Sequence, residues 1–393
     1  MKLCVATTAF PRWLGDGQGA FVWDAVHAIS KLGVQVRVVA MHSPGALTYE
    51  VMEGVEVRRP LYWWPEHHEI LRKESGGLPV VWRRYPLARV QILPFTVLHA
   101  AAITRCARAC DLIHAHWSLS AAAALLGRWR HHRPIIATLQ GSDLLQVTRS
   151  WWGAALTRRT LAGCDQITVL SRALAARAAA LGVPANDLRI IPNGVDTDKF
   201  IPVDAGQREK LILYVGSLIE RKGVRYLLAA MPEIVRACGD YRLLIVGEGS
   251  QHSELQQLAE RLGIADRVDF AGFRGHDEVR DWLQRAQLFV LPSIEEGLGV
   301  VLLEAMSCGT PVVASRVDGI TDVITPEVGT LVPSRDPAAL SETIVRILAD
   351  RNRWMDLSRG ARQRAVSCYD WSLIAPQFIE LYHETLAHGA RPA

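Results

Sequence analysis

The chain has 393 residues, more than two ordinary domain lengths, so a single small module is excluded and two domains are expected. Hydrophobic residues make up 49% and charged residues 21%, which excludes a disordered, collagen-like or coiled-coil chain. The net charge of +4 joins two unlike halves: residues 1–200 hold 23 Lys+Arg against 14 Asp+Glu (+9), and residues 201–393 hold 21 against 26 (−5). The arginines are dispersed and the excess is modest. Two readings of the basic half stand, solvated faces or a weak, salt-sensitive contact with an anionic membrane surface, and no nucleic-acid partner is expected. Seven scattered cysteines without a CxxC pair argue against a disulfide framework or a zinc ribbon and fit a reducing compartment. With no signal-peptide pattern and no uncharged apolar run of 18 residues, the expected location is cytoplasmic, at most peripheral to the inner face of the membrane.

Short β-rich runs alternate with longer Ala/Leu-rich amphipathic runs, the pattern of repeated βαβ units on parallel sheets. In chain order the first half offers strands at 2–7, 34–40, 112–114, 135–138, 166–170 and 189–191, with helices at 20–32, 97–110, 119–129 and 171–181. Residues 60–95, rich in Trp and Pro, break the alternation and read as a long irregular insertion, either a lid or a packed covering loop. Turn chemistry at Pro192-Asn193-Gly194, Pro202 and Gly206 marks a boundary between an N-terminal domain, 1–195, and a C-terminal domain, 208–370. The second half repeats the alternation with strands at 211–215, 241–246, 268–271, 288–291 and 311–314. Its helices fall at 223–237, 253–262, 278–285, 300–308 and 337–350. A last helix, 371–388, has no strand to follow it and is expected to pack back on the first domain.

Three turns carry chemistry. Gly15-Asp16-Gly17-Gln18-Gly19 lies between the first strand and a helix at Ala20; such glycines admit a phosphate to a helix N-terminus, but a plain glycine turn reads equally well. Gly216-Ser217-Leu218-Ile219-Glu220-Arg221-Lys222-Gly223 follows the first strand of the second half and offers two cations to phosphate, although it is no Walker sequence. Pro292 to Met306 holds Glu296, then Gly297-Leu298-Gly299, then Glu304 inside an apolar helix. Glu304 falls about 8 Å into that helix at ~1.5 Å rise per residue, about the reach of a nucleotide sugar. Free N–H groups at the helix start would hold a diphosphate and the carboxylates would accept from hydroxyls; the alternative for Glu296 is a first-turn dipole partner. His114-Ala115-His116-Trp117 resembles a metal pair but lacks a third ligand at metal spacing, and a role in shaping the cleft is preferred.

Ile191-Pro192-Asn193-Gly194-Val195-Asp196, Val215-Gly216-Ser217-Leu218 with Lys222-Gly223, Val246-Gly247-Glu248-Gly249, and Glu296-x7-Glu304 followed by Ala305-Met306-Ser307-Cys308-Gly309-Thr310-Pro311 occur in order over nearly the whole chain. Together they resemble glycosyltransferase family 4, retaining sugar-nucleotide transferases of GT-B fold. The resemblance implies two Rossmann-like α/β domains facing across a cleft and transfer of a hexosyl unit from a nucleoside diphosphate sugar to a saccharide or lipid-linked acceptor. No metal or other cofactor is implied. It gives Glu296 the hydroxyls of the transferred sugar, Glu304 the ribose, Lys222 the diphosphate, with neighbouring Arg221 as the stand-in for a clamp Arg of the family, and Gly17 and Gly19 a place beside the donor phosphate and acceptor. Gly216, Ser217, Gly297, Leu298, Gly299 and Asn193 complete the implied donor site. Two departures stand out: Gln140 replaces the usual active-site His, and Ser217 replaces a phosphate-clamping Arg. They keep open a non-catalytic nucleotide-sugar-binding subunit, while a GT-B sugar-nucleotide 2-epimerase is disfavoured by the Glu-x7-Glu block.

Overall fold

The computed structural model describes residues 1–73 and 78–389. The chain divides into two compact units, Met1–Asn193 with Ser372–Ala393, and Gly194–Trp371.

The first unit is built on an eight-stranded sheet of β1 (Lys2–Thr7), β2 (Gln35–Ala40), β3 (Tyr49–Met52), β4 (Val55–Arg58), β5 (Leu112–His116), β6 (Ile135–Leu139), β7 (Gln166–Val169) and β8 (Leu188–Ile190). The spatial order is β3-β4-β2-β1-β5-β6-β7-β8. Every pairing is parallel except β3 with β4. The central β5 and β6 are buried at every position, as helices on both faces require, and the polar side chains among them, His114, His116 and Thr138, are hydrogen-bonded. The helices are α1 (Ala20–Lys31), α2 (Leu78–Arg84), α3 (Pro86–Ala107), α4 (Ser118–Leu126), α5 (Arg128–His131), α6 (Ser142–Leu145), α7 (Trp151–Gly163) and α8 (Arg172–Ala180).

Three features of this unit depart from the sequence reading, the first being α7, a 13-residue helix in the stretch left unassigned between the strands at 135–138 and 166–170. The β3–β4 hairpin was not expected, because its two-residue loop is Glu53-Gly54 rather than Asn-Gly; both residues nonetheless have positive φ, 43° and 86°, as a twist-matched hairpin turn demands. The irregular insertion expected over 60–95 is also corrected. Residues 74–77 lie outside the described residues, but α2 and the first ten residues of α3 occupy its second half. Pro94 lies inside α3. Pro86 instead occupies the first turn, and Thr96 Oγ1 donates to the Ile92 carbonyl within the turn around Pro94. Met41, Tyr62, Leu71, Val81, Ala88 and Phe95 form a small buried cluster that holds the segment down.

The second unit has a six-stranded parallel sheet of β9 (Glu209–Val215), β10 (Arg242–Val246), β11 (Val268–Gly272), β12 (Ala286–Leu291), β13 (Val312–Ser315) and β14 (Gly329–Val332), ordered β11-β10-β9-β12-β13-β14. Around it lie α9 (Val224–Cys238), α10 (His252–Arg261), α11 (His276–Arg285), α12 (Val300–Ser307), α13 (Ile320–Val323), α14 (Pro337–Ala349) and α15 (Arg351–Arg364). β14 and α15 were not in the sequence reading, since Gly329–Val332 is short and α15 is mostly polar.

The last helix, α16 (Trp371–His388), belongs from Ser372 onward to the first unit. Its Tyr382 is fully buried, with the hydroxyl 2.7 Å from His114 Nδ1; His114 Nε2 lies 2.6 Å from Thr138 Oγ1, which bonds Thr168. A buried polar chain therefore locks α16 to β5, β6 and β7. Tyr382→Phe should leave His114 Nδ1 unsatisfied and lower the unfolding free energy of this unit by about 1–3 kcal/mol. Urea denaturation of the two proteins checks this, and an unchanged midpoint would show that the chain does not carry the docking.

Candidate active site

In parallel α/β sheets the loops at the carboxyl ends of the strands converge, and the chemistry-bearing turns of each unit lie there. In the second unit the turns after β9, β10 and β12, three adjacent strands, are interlocked. Gly247 has φ 137°, and a Cβ there would lie 2.0 Å from the Gly216 carbonyl oxygen; one on Gly223 would lie 2.1 Å from that of Pro292. Backbone bonds run between the same turns, from Leu218 N to the Glu248 carbonyl (2.8 Å) and from Ile294 N to the Arg221 carbonyl (2.7 Å). Tyr214, buried beneath, donates to the Ser217 carbonyl at 3.0 Å. Gly216, Ser217 and Leu218 are thus packed into place by backbone contacts that larger residues at 223 and 247 would prevent.

This interlocking brings Lys222 and Glu296 together across 74 positions of sequence: Lys222 Nζ donates to Glu296 Oε2. The Gly297 amide donates to the other carboxylate oxygen at 3.2 Å and Ser293 Oγ lies 3.4 Å from Oε2. Burial alone would raise the Glu296 pKa, but the Lys222 and Arg221 charges and these hydrogen bonds overturn it and hold the carboxyl below its ordinary range. Lys222 is shifted down by the same burial, with the Glu296 charge opposing. Arg221 completes the group, and its buried Nε has no hydrogen-bond partner. Two cations facing one carboxylate leave a surplus positive charge at the mouth of the β9 turn.

Gly299, with φ 81°, caps α12, and the helix opens at Val300 directly after Gly297 and Leu298, so its first-turn amides lie at that turn. Glu304, five residues into α12, is largely buried, and His276 Nε2 donates to its Oε1 at 2.8 Å. His276 opens α11 and was missed in the sequence; the signal available was its place directly after the strand-end turn Gly272–Gly275.

In the first unit the corresponding turns follow β1, β5 and β6. Gly19 has φ 79° and caps α1; a Cβ there would lie 2.7 Å from Phe10 N, so only glycine fits. Gly17 sits in a loop organised by Asp16, which accepts from Arg12 Nε (2.8 Å), Arg12 Nη2 (3.2 Å) and the Gln18 amide (3.3 Å). The Asp16 carboxyl is pushed up by burial, but its bonds to Arg12 prevail and hold it low. Arg72 reaches the same loop from the former insertion and donates to the Phe10 carbonyl at 2.8 Å. Gln140 is fixed at both ends of its amide: Nε2 donates to His116 Nδ1 at 2.9 Å, and Oε1 accepts from Asn193 Nδ2 at 3.5 Å. His116 therefore presents a lone pair at Nδ1 and is neutral; burial pushes its pKa down to about 3. His116 stacks on His114 at 4.5 Å, so the histidine pair serves the hydrogen-bond frame of Gln140 and α16. Among the described residues no group of three His, Cys, Asp or Glu side chains is placed to hold a metal ion.

Sequence models of two families match: "Glycosyltransferase Family 4" over residues 15–199 and "Glycosyl transferases group 1" over residues 196–364. A phosphatidyl-myo-inositol mannosyltransferase of Mycobacterium leprae is 33% identical over 72% of this chain and 75% of its own. The chain belongs to the group 1, family 4 glycosyltransferases. An uncharacterized glycosyltransferase of Methanocaldococcus jannaschii is 30% identical over 57% of this chain, which spans 60% of that protein's length. The solved structure of a sucrose-phosphate synthase from Thermosynechococcus elongatus superposes with a TM-score of 0.81 at 24% identity, covering 99% of this chain and all of that one. The two parallel-sheet units of the glycosyltransferase are thus those of the GT-B fold.

The depressed Glu296 pKa has a sign that can be tested. The carboxylate contributes stability that is complete above the ordinary carboxylate range and is lost as pH falls through its lowered folded value. Glu296→Gln should therefore flatten the acid limb of a stability-versus-pH profile measured by urea unfolding. An equally steep limb in the variant would show that the pair with Lys222 is not formed in solution.

Proposed function

We propose that this glycosyltransferase moves a hexosyl unit from a nucleoside diphosphate sugar to a saccharide or lipid-linked acceptor with retention at the anomeric carbon, in polysaccharide or glycoconjugate biosynthesis. The observation that carries the reading is the buried group of Lys222, Arg221 and Glu296 beside the N-terminus of α12. Two cations and free helix amides suit a diphosphate, and a carboxylate among them suits the hydroxyls of the attached sugar. Glu304, further along α12 and oriented by His276, is assigned the ribose.

Breaking the anomeric C–O bond sends its electron pair to the leaving diphosphate, so charge grows where Lys222 and the helix amides already point. The acceptor oxygen bonds to the anomeric carbon on the face the diphosphate leaves, and the acceptor proton passes to the departing phosphate oxygen. No strong protein base is needed. Gln140 offers both a donor and an acceptor to the sugar in place of imidazole, in an orientation set by His116 and Asn193. The role of Gln140 is hydrogen bonding without proton transfer, and catalysis survives the replacement.

The purified chain should turn over a nucleoside diphosphate hexose, by transfer or slow hydrolysis, and Lys222→Ala should lower the rate at least about a hundredfold. Glu304→Ala should chiefly weaken nucleotide binding, whereas Glu296→Ala should chiefly lower turnover. Tight binding of a sugar nucleotide by calorimetry without any turnover would instead identify a binding subunit.

A further inference from the structure

Residues 75–164 contain eleven arginines and only two acids, Asp111 and Asp143, a surplus of +9 that equals that of the whole first half. Arg128 is buried in a pair with Asp165, just beyond the segment, and drops out of that surplus; neither acid within the segment is spare. Asp143 is buried and accepts from Ser118 N and the Gln140 amide, and Asp111 accepts from Lys2 N at 2.7 Å.

The segment forms α2 to α7 without α1, and its crossovers β4-α3-β5, β5-α4-β6 and β6-α7-β7 all step in one direction across the sheet. Right-handed crossovers in one direction place their helices on one face. α4 packs against both α3 and α7, and the Trp82 and Trp152 rings, 6.4 Å apart, join α2 to the start of α7. One contiguous surface results.

Its outward side is apolar where water-facing helices are polar. α3 is long and apolar enough to cross a membrane by length and composition, yet it buries Gln91, His99 and Thr104 against the unit, so it lies along the protein rather than spanning anything. Its opposite side exposes Leu93 (68%) and Val97 (54%) in the middle, with Arg89 and Arg105 toward the ends. α7 exposes Trp151 (83%) and Trp152 beside Arg158 and Arg159, and α5 exposes Trp129 with Arg130 stacked over its ring at 4.9 Å. Aromatic and aliphatic side chains set among arginines, on three helices whose own sequences hold no Asp or Glu, match an anionic lipid headgroup layer above an acyl boundary. A protein partner of ordinary surface composition would meet this field with charges of both signs.

We propose that the outer surface of α3, α5 and α7 docks on an anionic phospholipid bilayer, with the Trp and Leu side chains entering the interface and the arginines on the headgroup phosphates. This surface gives the salt-sensitive membrane attraction of the basic half a defined location. It is independent of which sugar or acceptor the enzyme uses.

The test is co-sedimentation of the full chain with vesicles of phosphatidylglycerol and phosphatidylcholine in equal parts, without nucleotide sugar or acceptor, so that its outcome is separate from that of the glycosyltransferase assays. The wild type should sediment at about 0.1 M salt and lose most of its binding at about 1 M, where the Debye length falls from about 10 Å to about 3 Å. Leu93→Glu with Val97→Glu, and separately Arg158→Glu with Arg159→Glu, should each weaken binding at least about tenfold while the thermal midpoint is kept. If the first pair unfolds the protein, the exposed arginine pair alone decides. Absence of sedimentation at low salt, equal binding to pure phosphatidylcholine, or unchanged binding in the folded variants would each overturn the proposal. So would a wild-type dimer in sedimentation equilibrium that Leu93→Glu abolishes, because a second copy would then be the occupant of the surface.

Discussion

The pairing of Lys222 with Glu296 depends on everything around it and in turn orders what it touches. A buried ammonium and a buried carboxylate are each unfavourable alone, so the strand-end turns that carry them must close to within hydrogen-bond distance. The closure is possible because Gly223 and Gly247 let backbone lie directly on backbone, where any side chain would collide. The consequence is two cations gathered about one carboxylate just ahead of α12. Arg221 is the part left over, a half-buried side chain whose buried Nε has no hydrogen-bond partner, and the proposed diphosphate would complete it.

The first unit follows a different logic. The turn after β1 is set by the Arg12–Asp16 pair, but after β5 and β6 the order comes from a hydrogen-bond relay. Tyr382, His114, Thr138 and Thr168 form one buried chain, and His116, Gln140 and Asn193 form a second beside it, coupled through the stacked imidazoles. Burial keeps both histidines neutral, which suits a frame that must offer lone pairs and N–H groups in fixed directions. The C-terminal helix therefore bears on the setting of Gln140 although it lies far away in sequence.

Much of the fold was legible because hydrophobic periodicity dominates in parallel sheets: β1, β6 and α9 fall within a residue or two of their expected bounds. The failures share a cause. The β3–β4 hairpin, the start of α3 at Pro86 and the polar α15 are decided by tertiary packing against local signals, a Glu-Gly turn, an internal proline and a weak apolar stripe. At the site, the motif residues could be named from the sequence, since glycines and carboxylates at strand ends are visible in one dimension. Their partners could not. His276 meets Glu304 and Arg72 meets Phe10 and Gln18 only through the arrangement of strands, and nothing in the spacing of either pair points to the other.

The proposed diphosphate would lie against the β9 and β12 turns. Hydrogen exchange of the full chain with and without a saturating nucleoside diphosphate measures this directly. The account predicts slowed exchange of amides in Gly216 to Gly223 and Gly297 to Leu303, the two segments brought together by Lys222 and Glu296. Protection confined to the first unit, or none at a concentration where calorimetry shows binding, would contradict it.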